Sequence, residues 1–159
     1  AGLGVLAHQF SGLPVGGGYF TQGPFAPNCS HEHMSSPAID IGIGDGAAIR
    51  ATHTGIVKFG HDAIYGYYVD VLGKCQGKDF FTRYAHMPNW PSMANGATVN
   101  AGDQIGTVDN TGSSTGSHIH YHVNGLDKNY FGQYLGLNEA TTTQLWGCCG
   151  VEWNGKACP

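Results

Sequence analysis

Between Ala38 and Val123 the chain is a succession of short apolar runs separated by turn-forming residues, with no helical periodicity of useful length. Ala38–Ile43, Ile49–Phe59, Tyr67–Leu72, Phe80–His86, Gln104–Val108 and His118–Val123 carry β-branched or aromatic residues at alternate places, which is how a strand with two different faces reads. The breaks fall at Gly44-Asp45-Gly46, Gly60–Gly66, Gly73–Gly77, Pro88–Pro91 and Asn110–Gly116. Runs at this spacing predict a mostly β protein: a compact antiparallel β-sheet core with long connecting loops and few short helices. The 11% charged residues and 26 glycines agree, because helical domains usually carry more Glu, Lys and Ala.

At 159 residues a single domain over 1–159 is expected, long enough to close one hydrophobic core. Residues 1–28, with Gly16-Gly17-Gly18, Pro14, Pro24 and Pro27, suit a loop-like entry with room for one edge strand. After Leu126 the strand signal fades, and Asn138–Leu145 suits a short helix. A formal charge of −4 leaves no basic stripe, which argues against a nucleic-acid partner. With no apolar run near 18 residues and no charged-then-apolar leader at Ala1, the expectation is a soluble monomer without a membrane partner, already processed if secreted.

The five cysteines contain no CxxC pair, which argues against a structural zinc knot. Cys148 or Cys149 with Cys158 would staple the 126–159 segment, and Cys29 with Cys75 would form a second bridge, leaving one thiol over. That arrangement favours an oxidising, extracellular setting; reduced buried cysteines in a cytosolic protein are the alternative.

The chemistry is concentrated in the histidines, of which there are nine. His118, His120 and His122 alternate in one expected strand, so their side chains leave the same face. Neutral imidazole is the commonest zinc ligand, and such a triplet forms half of a metal site; a polar strand face in solvent is the plainer reading. Asp40 lies among apolar neighbours in the run Ala38–Ile43, and a buried carboxylate calls for a cation or a metal. His31 and His33 stand just upstream. A histidine, an aspartate and a strand histidine would leave a fourth position for water, as catalytic zinc requires. His8, His53 and His61 show no partner pattern and read as ordinary core or surface residues.

Several stretches then resemble one family. Val108–Val123, in which a Gly/Ser/Thr turn leads into His-x-His, looks like the signature of the lysostaphin-like and staphylolysin-like zinc endopeptidases. Thr82–Met87 resembles the family's Tyr-x-His segment, and Asn95–Gly106 the turn and strand before its His-x-His element. Ile39–Gly42, with Ile49–Ala51 and Gly55–Val57, is similar to the strand of the ligand aspartate and the hairpin after it. These matches cover about residues 31–124 in the family's order.

The resemblance implies zinc held by His33, Asp40 and His120, with His86 and His118 as non-ligand histidines of the catalytic centre. The common pattern places the first ligand four residues before the aspartate, where this chain has Ser36. His33, seven residues before Asp40, resembles the longer spacing of some secreted members, and His31 is the competing choice. His122 departs from the family, which has a carboxylate or an apolar residue there. Displaced by about 6–7 Å along the strand from His120, it reads as cleft wall or exposed, or else as a substrate contact or a second, weak metal site. Tyr130 and Tyr134 are candidates to hydrogen-bond an oxyanion.

The implied activity is that of a secreted zinc metalloendopeptidase cutting glycine-containing links of peptidoglycan cross-bridges, or glycine-rich proteins such as elastin. A non-catalytic, zinc-containing wall-binding or activating module of the same fold is the alternative, although such a module would usually lose His86 or His118. A disulfide-stapled structural or inhibitory domain without metal is a third.

Overall fold

The alternation seen along the sequence becomes a sheet with one apolar face and one polar face. The computed structural model describes residues 14–16, 19–22, 38–75, 78–91, 93–112 and 116–125. In chain order the strands are β1 (Tyr19–Gln22), β2 (Ala38–Gly42), β3 (Ala48–Arg50), β4 (Gly55–Asp62), β5 (Gly66–Cys75), β6 (Lys78–Met87), β7 (Thr98–Val99), β8 (Gln104–Thr107) and β9 (His118–Asn124). Seven of them form one antiparallel sheet in the order β1-β2-β9-β6-β5-β4-β7, and β3 pairs with β8 in a second. No helix occurs among the described residues, so the mostly β expectation holds there. No helix among them is long and apolar enough to cross a membrane.

Two local readings need correction. The run Ile49–Phe59 is not one strand but two, because Ala51–Thr54 turns the chain from the small sheet into the large one. The cause is polar: Thr52 and His53 are fully buried, and the Thr52 amide donates to the Tyr84 phenol at 3.0 Å instead of extending a ladder. The two-residue strand β7 carried too little pattern to be seen separately. Cys29, Cys148, Cys149 and Cys158 lie outside the described residues, as does the side chain of Cys75, so both expected bridges fall outside them too. The expected helix at Asn138–Leu145 does so as well.

The core lies between the two sheets. Ile41, Val57, Val69, Val71, Tyr84, Ile119, Tyr121 and Val123 come from the large sheet, and Ile49 and Ile105 from the small one. Gly106 of β8 packs so closely that a Cβ there would meet the Met87 sulfur at 2.6 Å. Alternation assigns the odd positions of β9 to this core and sends His118, His120 and His122 to the other face.

Within the core the phenols of Tyr84 and Tyr121 meet Thr52, whose Oγ1 lies 2.9 Å from the first and 2.7 Å from the second. Thr82 Oγ1 donates to Tyr84 at 2.9 Å, and the Thr52 amide donates to the same oxygen at 3.0 Å. Burial pushes both phenol pKa values up, so they stay neutral and depend on these partners. Thr52→Val keeps the shape but withdraws the shared hydroxyl, leaving buried phenols short of a partner. It should lower the unfolding free energy by about 1–3 kcal/mol in urea titration. It should not alter the polar face of the sheet.

Candidate active site

On the face opposite the core, strand pairing aligns residues far apart in sequence. Asp40 of β2 lies directly across from His120 of β9, which lies directly across from Ala85 of β6. Because paired residues in an antiparallel ladder project to the same side, Asp40 and His120 are brought together by register alone. Their side chains meet, with Asp40 Oδ1 3.0 Å from His120 Nδ1. His118 adds a ring nitrogen 3.9 Å from the same oxygen. Asp40 and His120 are 7% and 8% exposed, so the polar pair is sunk below the surface.

His86 reaches this cluster by an irregularity. Along β6 strict alternation would send Ala85 and His86 to opposite faces. Tyr84 pairs with Val69 and Met87 with Tyr67, so Ala85 and His86 together stand opposite Tyr68, a β-bulge. Tyr84 and Met87 therefore both remain in the core while His86 swings to the histidine face. The swing needs a left-handed backbone, and His86 is the one described non-glycine residue with a positive φ, 62°. That conformation costs roughly 1–2 kcal/mol for an L-residue. The His86 amide offsets it by donating to the Tyr65 carbonyl at 2.8 Å, and the His86 carbonyl accepts from Asp109 at 3.1 Å.

The ring of His86 lies 4.6 Å from that of His118 and 6.1 Å from that of His120, centroid to centroid. Its Nδ1 stands 2.5 Å from the Thr111 carbonyl. A carbonyl can only accept, so Nδ1 carries the hydrogen and Nε2 is left with its lone pair. His118 is held likewise, its Nδ1 donating to the Gly116 carbonyl at 2.8 Å. The loop bearing Thr111 is itself wedged in place, since a Cβ on Gly112 (φ 78°) would run into the Gly66 backbone nitrogen.

The donors that converge fit zinc. A carboxylate oxygen and an imidazole nitrogen are ordinary zinc ligands, and their 3.0 Å separation is near the roughly 3.3 Å expected between neighbours around a tetrahedral ion. Among the described residues no group of three or more His, Cys, Asp or Glu side chains is disposed to hold a metal. His33 and His31, the expected sources of a further ligand, lie outside the described residues, as do Tyr130 and Tyr134.

The remaining histidines separate. His53 is fully buried in the core, its Nε2 2.8 Å from Thr82 Oγ1. His61 stacks on Tyr67 with centroids 4.2 Å apart. His122 is buried at 5% exposure and touches His120, so it is neither exposed nor detached from the site. Tyr65 was not singled out from the sequence; it comes from the β4–β5 turn, and its ring lies 5.4 Å from His120 and 5.6 Å from His122. Nothing in its local sequence marks it, because only the hairpin's packing brings it there.

The sequence profile of Peptidase family M23 matches residues 34–134, more than half of the chain. The chain belongs to peptidase family M23. It is 31% identical over 129 residues to an uncharacterized metalloprotease of Haemophilus influenzae, covering 76% of this chain and 26% of that protein. It is 37% identical over 102 residues to the DD-carboxypeptidase/endopeptidase Mpg of Neisseria meningitidis, covering 62% of this chain and 23% of that one. The chain thus spans about a quarter of the length of these curated relatives. Among solved structures it is similar to a zinc containing peptidase from Vibrio cholerae, with a TM-score of 0.59 at 25% identity over 73% of this chain and 36% of that one.

Burial lowers the pKa of His86 to about 4, the neighbouring His118 and His120 adding to the fall and the Thr111 carbonyl opposing it. The folded protein therefore takes up this proton less readily than the unfolded chain. Stability is unaffected above about pH 6.5 and falls as pH drops from there toward about 4, by at most about 3 kcal/mol. In the metal-free protein His86 should stay neutral at pH 5.5 by NMR titration, and His86→Ala should flatten the acid limb of the stability curve.

Proposed function

We propose that this chain is a secreted zinc metalloendopeptidase that hydrolyses glycine-containing peptide bonds of peptidoglycan cross-bridges, with glycine-rich proteins such as elastin as further substrates. The observation that carries the reading is the meeting of Asp40 Oδ1 and His120 Nδ1 at 3.0 Å, with the rings of His86 and His118 packed beside them. In this reading His33, Asp40 and His120 are the metal ligands. Zinc bound there supplies Lewis acidity toward an amide carbonyl and toward water.

The chain's own histidines supply the proton chemistry. His86 is neutral, and with its Nδ1 hydrogen committed to Thr111 it offers Nε2 as a proton acceptor. His118 is tied to Gly116 through Nδ1, which leaves its Nε2 3.9 Å from Asp40 Oδ1. Between them the two take a proton from the attacking water, steady the oxyanion and return a proton to the leaving amine. A wall-binding module without catalysis has no need of this pair, which favours the enzyme.

The glycine preference is supported by the surroundings of the site. Tyr65 stands 5.4 Å from the His120 ring and 5.6 Å from that of His122, and a bulky planar side chain beside the site would exclude side chains while admitting a bare backbone. Extracellular placement rests on the resemblance and on the cysteine pattern.

Purified protein should hold about one zinc per chain, and Asp40→Ala or His120→Ala should abolish binding; stoichiometric zinc in either variant rejects the ligand assignment. Alanine at His86 or at His118 should leave zinc in place and lower kcat by a factor of about 10² to 10⁴.

Substrate is tested separately. Replacing Gly-Gly by Ala-Ala in a model peptide should cost well over the ~1–3 kcal/mol of one methylene contact, because the added methyls clash. A D,D-peptide belongs in the same assay, given the name that the Neisseria relative carries. Equal cleavage of Gly-Gly and Ala-Ala rejects the glycine slot.

A further inference from the structure

His122 is buried one strand repeat beyond the Asp40–His120 row, across from Ala38 on β2 and Arg83 on β6. Its Nδ1 stands 2.8 Å from Nε2 of His120, with the two rings nearly perpendicular at 79°. The two nitrogens of His120 are thus both engaged: Nδ1 toward Asp40 and Nε2 toward His122. A neutral imidazole carries one hydrogen. If Nδ1 is the atom given to a metal shared with Asp40, the hydrogen must sit on Nε2, and Nδ1 of His122 is there to accept it.

His122 is itself held on several sides. Phe81 lies 6.2 Å from its ring and Tyr65 5.6 Å, the latter edge-on. Arg83, its cross-strand partner on β6, is fixed by Asp70 through two hydrogen bonds of 2.7 and 2.9 Å. The guanidinium of Arg83 lies 4.0 Å from the ring centre of Tyr68 and 5.0 Å from that of Tyr65. A ring so enclosed has little freedom to swing away from its acceptor geometry.

We propose that His122 is a positioning residue for the metal centre. It accepts the Nε2 hydrogen of His120 and thereby fixes the tautomer that presents Nδ1 to zinc, while Tyr65, Phe81 and the Arg83–Asp70 pair keep its own ring in place. The proposal rests on the zinc reading given above. Partners of this kind, bonded to the far nitrogen of a ligand histidine, are typically worth 10–100-fold in metal affinity.

Zinc affinity by chelator competition, together with long-range ¹H–¹⁵N NMR of the zinc-loaded protein, tests it. Wild type should show His120 with hydrogen on Nε2 and a metal-shifted Nδ1. His122→Phe, which fills the space but accepts no hydrogen bond, should lose about 10–100-fold in affinity. His122→Glu, which restores an acceptor, should regain most of that loss. Wild-type affinity in the Phe variant overturns the proposal and leaves the zinc peptidase reading intact. Hydrogen on Nδ1 of His120 in the loaded protein overturns it without any variant. A second zinc equivalent that disappears with His122 also overturns it, by making His122 a ligand. Wild-type protein that takes up no zinc defeats the peptidase reading first, and this proposal with it.

Discussion

Asp40 and His120 face one another across the β2–β9 pairing, and the rest of the site is arranged around the cost of keeping that carboxylate and imidazole below the surface. A buried anion without compensation would destabilise the fold by several kcal/mol. The ladder brings the compensating group by register rather than by the reach of a flexible side chain. A slip of one residue in β9 would put Ile119 opposite Asp40 and turn the histidines into the core. The apolar residues Ile119, Tyr121 and Val123 forbid that slip, because each is buried on the other face. Hydrophobic patterning thus fixes a polar contact that it does not itself include.

The bulge in β6 works against the same regularity. Three of the four converging side chains arrive by alternation, but His86 arrives because the strand breaks its alternation once, between two core residues that keep theirs. The left-handed backbone at His86 is tolerable because its amide, carbonyl and ring Nδ1 each have a partner in a neighbouring loop. Those partners come from Tyr65, Asp109 and Thr111, so two loops are tied to one residue. The burial that results also favours the neutral ring.

Much of this was legible in the sequence wherever period and composition carry the signal. The alternation His118–His122 announced a strand with a histidine face, and Asp40 between apolar neighbours announced a buried carboxylate in need of a partner. The strand limits were read to within a few residues except at Ile49–Phe59, where apolar content continued through a turn held by buried threonine and histidine contacts. The bulge was not legible, since Tyr84-Ala85-His86-Met87 looks like ordinary strand. Nor was Tyr65, because hairpin packing rather than local pattern brings it to His120. His122 was placed on the correct face by its period. Its burial and its bond to His120 depend on side-chain torsions and on Arg83 across the strand, which periodicity does not encode.

Three histidines share one face of one strand, yet cross-strand neighbours separate them. His118 lies opposite Gly42, which brings no side chain to that position, and it is the most open of the three. His120 lies opposite Asp40 and between β2 and β6, and it is drawn into the carboxylate. His122 lies opposite Ala38 on one side and the Asp70-paired Arg83 on the other, and its ring turns along the strand toward His120. The same residue type at a spacing of two therefore meets a glycine, an aspartate and an arginine across the ladder in succession. It is the order of those rows across β2, β9 and β6, more than the number of histidines, that turns a polar strand face into a graded site with an open end, a buried centre and a fixed support behind it.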